Sequence, residues 1–177
     1  MISGQYVALR AIERDDLADL LAWRNNPHFR RYFREFRELS MADQERWYDE
    51  IVLKDPSVRM FSIIEKDSKR LIGACGLCYI DHRNQSADFS IYIGKDELYI
   101  DDCLAPDAGL TLLRYGFSEM NLHRIWAEIY STDEPKQALF NTLGLTLEGR
   151  HRQTRWVGGS WVDSLFYGLL KDEFAAR

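Results

Sequence analysis

The chain has 177 residues, 46% hydrophobic and 29% charged, with a formal net charge of −5. That length and balance predict one domain over residues 1–177 with a sizeable core, and exclude a disordered chain. The acidic balance argues against broad binding to nucleic acid or anionic membrane, and no apolar run approaches a membrane span.

In chain order, Tyr6–Leu9 alternates as a short first strand. Arg14-Asp15-Asp16 opens a helix with a stripe of Leu17, Leu20 and Leu21, ending near Asn25-Asn26-Pro27. Phe29 to Phe36, rich in aromatics and arginines, reads as a short helix or loop lining a cleft. Ser40-Met41-Ala42-Asp43 has the form of a capping box and starts a helix carrying Trp47 and Ile51. From Val58 the period changes: VRMFSIIEK, a KDSKR turn and LIGACGLCYI predict a β-hairpin, and SADFSIYIG a further strand. A loop follows, then a helix with Pro106 in its first turn and Leu110, Leu113 and Phe117 at helical spacing. RIWAEIY is a strand, Glu134 to Leu143 a short helix stopped by Gly144, and Leu145 to Val157 turns at Gly158-Gly159-Ser160 into Trp161 to Leu170. The expectation is an α+β fold: a mixed, mostly antiparallel sheet of about seven strands with about four helices. The helical crossover makes the fourth and fifth predicted strands parallel.

Cys75, Cys78 and Cys103 are odd in number, and the first two fall on opposite faces of a strand, which is poor for a shared metal. They read as core thiols of a protein in a reducing cytoplasm, with no metal site. MISGQYVALR lacks the pattern of a secretory signal, so a cytoplasmic protein is expected. Arginines cluster at Arg30, Arg31, Arg34 and Arg37 and again at Arg150, Arg152 and Arg155. These are either solvated faces or contacts to a phosphorylated ligand.

Ile91 to Phe117 organises the chain: a strand, a loop and then a helix whose N-terminus presents free N–H groups and the positive end of its dipole, suited to an anion. The element order, with YVALRAIERDDLADLLAWRNN, LIGACGL, YIDHRNQSADFSIYIG, LLRYGFSEMNLHRIWAEIYSTDE, LFNTLGLTLEGRHR and GGSWVDSLFYGLL, resembles the GNAT superfamily of acyl-CoA-dependent N-acyltransferases. It resembles most the branch of ribosomal-protein N-terminal and nucleotide-sugar acetyltransferases. The resemblance implies that the fourth and fifth strands splay into a V-shaped slot. The pantetheine arm of acetyl-CoA would lie along Ile91, Tyr92 and Ile93, and its pyrophosphate at Cys103, Leu104 and Ala105. A primary amine, on a nucleotide-linked amino sugar, a protein or peptide N-terminus or a small metabolite, would attack the thioester directly.

The family's pyrophosphate loop, Gln/Arg-x-x-Gly-x-Gly/Ala, falls on Ile100-Asp101-Asp102-Cys103-Leu104-Ala105, of which only Ala105 fits. Cys103 replaces the central glycine, and Asp101 and Asp102 put carboxylates where a pyrophosphate would lie. Asp133 stands where an Asn usually contacts pantetheine, and Phe140 where a tyrosine often protonates the leaving thiolate. By the same resemblance Asp88 is placed as a base acting through water. His82, at the cleft mouth, is a second proton acceptor. Trp23, Arg24, Asn25, Phe29, Tyr32, Phe33, Arg150 and His151 are candidate substrate contacts. Trp156, Trp161 and Phe166 are candidates for a homodimer interface or for core. Acetyl transfer to an amine is the primary reading. A GNAT-fold protein that has lost acetyl-CoA binding and serves as a binding or scaffold module is the alternative.

Overall fold

The computed structural model describes residues 1–176, and its frame is one eight-stranded sheet. The strands are β1 (Ile2–Ser3), β2 (Val7–Ala11), β3 (Arg59–Glu65), β4 (Leu71–Asp81), β5 (Ser86–Ile93), β6 (Arg124–Tyr130), β7 (Thr146–Val157) and β8 (Ser160–Leu170). They are ordered β1-β2-β3-β4-β5-β6-β8-β7, antiparallel throughout except for β5 and β6. The helices are α1 (Leu17–Asn25), α2 (Pro27–Arg30), α3 (Met41–Trp47), α4 (Leu104–Arg114), α5 (Glu134–Leu143) and α6 (Lys171–Ala175). The expected mixed sheet with its parallel crossover is present. It has one more strand than expected, because Ile2–Ser3 pairs with Leu9 and Ala8, and six helices instead of four.

The period-2 pattern sorts side chains onto two faces. Ile91 and Ile93 of β5 face a core shared with Ala108, Leu112 and Leu113 of α4 and Leu139 and Phe140 of α5. Tyr92 between them faces the opposite side, with Leu17 and Leu20 of α1, Phe29 of α2 and Tyr48. Local signals act as chemistry requires. The Ser40 hydroxyl accepts from the Asp43 N–H at 3.2 Å while the Asp43 carboxylate accepts from Ser40 N at 3.0 Å, which starts α3. Gly158 (φ 58°) and Gly159 (φ 86°) make a two-residue turn that only glycine enters without strain, so Ser160 already belongs to β8. At that hairpin tip Trp156 and Trp161 are exposed and stack edge to face at 5.3 Å. Cys75 lies in the α4-side core and Cys78 sits with its Sγ 3.7 Å from Met60 Sδ. No helix among the described residues is long and apolar enough to cross a membrane.

Candidate active site

Strands β5 and β6 pair only from Ser86 to Asp88, against Arg124 to Trp126. Beyond Asp88 they part, and the β6-facing edge of β5 opens. Gly94 N–H bonds Ile72 O of β4, so the N–H of Ile93, one residue earlier, points to the opposite, open edge. That edge is taken by the chain itself. Ile93 N–H donates to Tyr99 O at 2.7 Å and Tyr99 N–H to Ile93 O at 2.8 Å.

Tyr99 is 2% exposed and spans the gap. Its hydroxyl donates to Asp133 Oδ2 at 2.6 Å, at the N-cap of α5. Its ring stacks on Tyr32 at 4.5 Å and touches Phe29 and Phe33. Lys136, one turn into α5, is 9% exposed with its Nζ 5.3 Å from the Tyr99 ring, and it makes no side-chain hydrogen bond or ion pair among the described residues. Burial pushes the Lys136 ammonium pKa down and the Asp133 carboxyl up, each partly offset by the other's charge.

The start of α4 is likewise occupied. The N–H groups of Cys103, Leu104 and Ala105 converge on the carboxylate of Asp101, at 3.1, 2.8 and 2.8 Å. An aspartate thus satisfies donors that a helix N-terminus leaves open, and its charge complements the dipole. Asp102 beside it is exposed. The convergence of N–H groups expected of an anion site is therefore real, but its anion is internal. In this conformation the residues do not fit an acyl-CoA: Tyr99 lies on the open edge and Asp101 in the anion position.

The other end of the gap is built differently. Asp88, the last β5 residue paired to β6, is 6% exposed. Arg34, from the chain after α2, reaches it at 3.5 Å and reaches Glu128 of β6 at 3.4 Å, a loose bridge between two carboxylates. Burial pushes the Asp88 carboxyl up to about 6, with Arg34 and Lys136 pulling the other way. Burial acts to raise Glu128 as well, but hydrogen bonds from Ser164 and Arg155 win and hold it below the usual range. On the face of β5 that Asp88 and Tyr92 share, a cavity of about 230 Å³ is walled by Leu20, Trp47 and Tyr92, and its polar lining mixes Glu35, Asp43 and Glu50 with Arg24, Arg37 and Arg46.

The remaining predicted residues scatter. His82 is exposed in the turn between β4 and β5. Trp23 packs edge-on to Tyr92 at 6.3 Å, and Arg24 lies 5.2 Å over Phe33 with its Nε buried and unpaired. Asn25 exchanges two hydrogen bonds with the Leu39 backbone, and Phe29 is fully buried. Phe140 is fully buried between Phe89 and Tyr167. Arg150 pairs with Asp163 on the outer strand β7, where His151 lies against Phe166 at 4.4 Å. Several arginines expected to meet a phosphorylated ligand are already matched to acids of the chain: Arg30 to Glu38, Arg37 to Glu35, Arg155 to Glu128. Sequence reasoning missed Tyr99, Lys136 and Glu128. For Tyr99 the apolar triplet Leu98-Tyr99-Ile100 was the available signal.

Comparison with known proteins gives this geometry a context. The model of the acetyltransferase (GNAT) domain family matches residues 7–146. An uncharacterized N-acetyltransferase, p20, of Bacillus licheniformis is 30% identical over 172 residues, 96% of this chain and 95% of that protein. The spermidine N(1)-acetyltransferase of Escherichia coli K12 is 26% identical over 177 residues, 100% of this chain and 92% of that protein. A crystal structure of Vibrio cholerae spermidine N-acetyltransferase with CoA and spermine superposes with a TM-score of 0.88 at 26% identity, covering 96% of this chain and 98% of that one. The ribosomal-protein and nucleotide-sugar branch that the sequence resembles is not supported over the polyamine acetyltransferases: the full-length relatives whose descriptions name an acceptor act on a polyamine, while a putative ribosomal N-acetyltransferase of Bacillus subtilis is 28% identical over only 59% of this chain.

Proposed function

The chain belongs to the GNAT family of acetyl-CoA-dependent N-acetyltransferases, and from that premise we propose that its acceptor is a primary aliphatic amine of a small, polyamine-like molecule. The fork carries this reading: Asp88 and Glu128 flank one cation, the Arg34 guanidinium, at 3.5 and 3.4 Å. Contacts of that length are weak, and an alkylammonium, a compact cation with three donors, can replace the guanidinium between the two acids. The cavity on the same face supports the rest of such a molecule. Its apolar walls suit methylenes, and Glu50, the lining carboxylate with no arginine paired to it, suits a second ammonium.

Nucleophilic attack needs a neutral amine, so the ammonium must lose a proton at the fork. Asp88 is the group placed to take it. With a pKa of about 6 it is ionised at neutral pH, and it is a stronger base than an ordinary aspartate. Glu128, held low by Arg155 and Ser164, stays charged and keeps the cation oriented. That division, one carboxylate tuned to exchange a proton and one tuned not to, is what a proton-abstracting site requires.

The test is a panel of amines with acetyl-CoA: spermidine, spermine, a short peptide with a free N-terminus and a nucleotide-linked amino sugar. Acetylated spermidine or spermine, detected by mass spectrometry, is the expected product. Acetylation of the peptide or the sugar with the polyamines untouched would sink the proposal. A second reading, ligand binding without transfer, draws on Tyr99 and Asp101 occupying the donor's positions. It predicts no CoA release with any amine and no calorimetric response to acetyl-CoA.

A further inference from the structure

The segment from Gly94 to Cys103 touches both places where the family's donor would sit, and it does so with matching chemistry. At one, a backbone pair from Tyr99 adds to the open edge of β5 as a short strand, with N···O distances of 2.7 and 2.8 Å. At the other, a carboxylate accepts three helix N–H groups. We propose that this segment is an internal occupant of the donor site, Tyr99 holding the edge of β5 and Asp101 the start of α4, so that acetyl-CoA binds only when the segment swings away. The inference rests on acetyl-CoA being the donor, as family membership states.

Three observations support a segment that moves. First, occupancy is exclusive. One N–H and one C=O of Ile93 cannot pair with Tyr99 and with a ligand together, and a pyrophosphate cannot share the α4 N–H groups with a carboxylate without like-charge repulsion. Second, the closed path is strained. Asp96 (φ 51°), Glu97 (φ 55°) and Tyr99 (φ 58°) are all in the left-handed region that non-glycine residues avoid, so release has something to relieve. Third, apart from Tyr99 and Ile100, which pack on the core, the segment is tied down by side-chain contacts near the surface: Lys95 to Glu65 at 2.8 Å and Asn26 Nδ2 to Glu97 Oε1 at 2.8 Å, the latter exposed. Beside Tyr99 the Lys136 ammonium makes no side-chain hydrogen bond among the described residues and lies 5.3 Å from the ring that would move away.

Asp101→Asn separates charge from capping, because the amide oxygen still accepts from the helix while the repulsion is gone. CoA titrated calorimetrically into the full-length protein should bind this variant about ten-fold or more tighter than the wild type. Equal affinity for the two would overturn the proposal and leave the acetyltransferase reading intact. No binding by either at millimolar CoA would overturn both. Should the variant fail to fold, amide exchange on the wild type decides. A peptide spanning residues 95–102 should exchange faster with saturating CoA than without it, and unchanged or slower exchange would refute an opening segment.

Discussion

The two ends of the gap between β5 and β6 handle charge in opposite ways. At the far end the Tyr99 hydroxyl donates to Asp133 and three N–H groups donate to Asp101, at short distances from 2.6 to 3.1 Å. At the fork the half-exposed Arg34 guanidinium reaches Asp88 only loosely, at 3.5 Å, and Glu128 at 3.4 Å, although Glu128 is also held by Arg155 at 2.9 Å and by Ser164 at 2.6 Å. Groups satisfied internally resist a ligand until something gives way, whereas loosely satisfied groups accept one at little cost. Under the two proposals, the difference separates an acceptor side open to an amine from a donor side that must first be cleared.

The largest effect should come from breaking the fork. Asp88→Asn keeps the shape but cannot take a proton, and kcat for the amine should fall about 10²-fold to 10³-fold with a smaller change in KM, measured by CoA release. A loss of less than about three-fold would remove Asp88 from the chemistry. On the donor side, Tyr99→Ala removes a buried ring stacked among Phe29, Tyr32 and Phe33 and should cost about 3–5 kcal/mol in urea denaturation. Tyr99→Phe keeps the ring and loses only the bond to Asp133, so a cost of about 1–3 kcal/mol is expected. If the alanine variant costs no more than the phenylalanine variant, the ring is not the plug it looks to be.

The pH dependence sharpens the same contrast. The folded-state pKa of Asp88, about 6, lies above its unfolded value of 3.8. Its contribution to stability is therefore complete below about pH 4 and lost as pH rises through about 6, a change of roughly 2–3 kcal/mol. Asp88→Asn should flatten that part of the stability profile, and the wild-type rate should rise through a limb near pH 6 that the variant lacks. The smallest effect belongs outside the gap. Arg150→Ala removes an exposed pair with Asp163 and should change stability by less than about 1 kcal/mol and leave kcat unmoved. A large rate loss there would bring β7 into the site.

Much of the frame was legible because it is written in local pattern. Periodicity marks β5, α4, β6 and α5, the capping box marks α3, and Gly158-Gly159 marks the last hairpin. The place of Asp88 at the fork follows from the register of a strand that the sequence already shows. Tyr99 was not legible in that way. Its partners, Ile93, Asp133 and Phe29, are non-local or cross a tight loop, and the positive-φ positions of that loop are Asp96 and Glu97, where no glycine or Asn-Gly announces the turn. Arg34 was visible only as one arginine among several, since nothing in composition tells a solvated guanidinium from one bridging two acids.

The sequence by itself determined the family frame and exposed the departure at Ile100-Asp101-Asp102-Cys103, because strand alternation, helix stripes and short motifs are properties of neighbouring residues. Only the tertiary structure decided that Asp101 turns inward to cap α4 while Asp102 faces solvent, and that Tyr99 closes the edge of β5. Those outcomes depend on which N–H groups and which open edge the folded chain brings within hydrogen-bond reach, and that is fixed by contacts between segments distant in sequence.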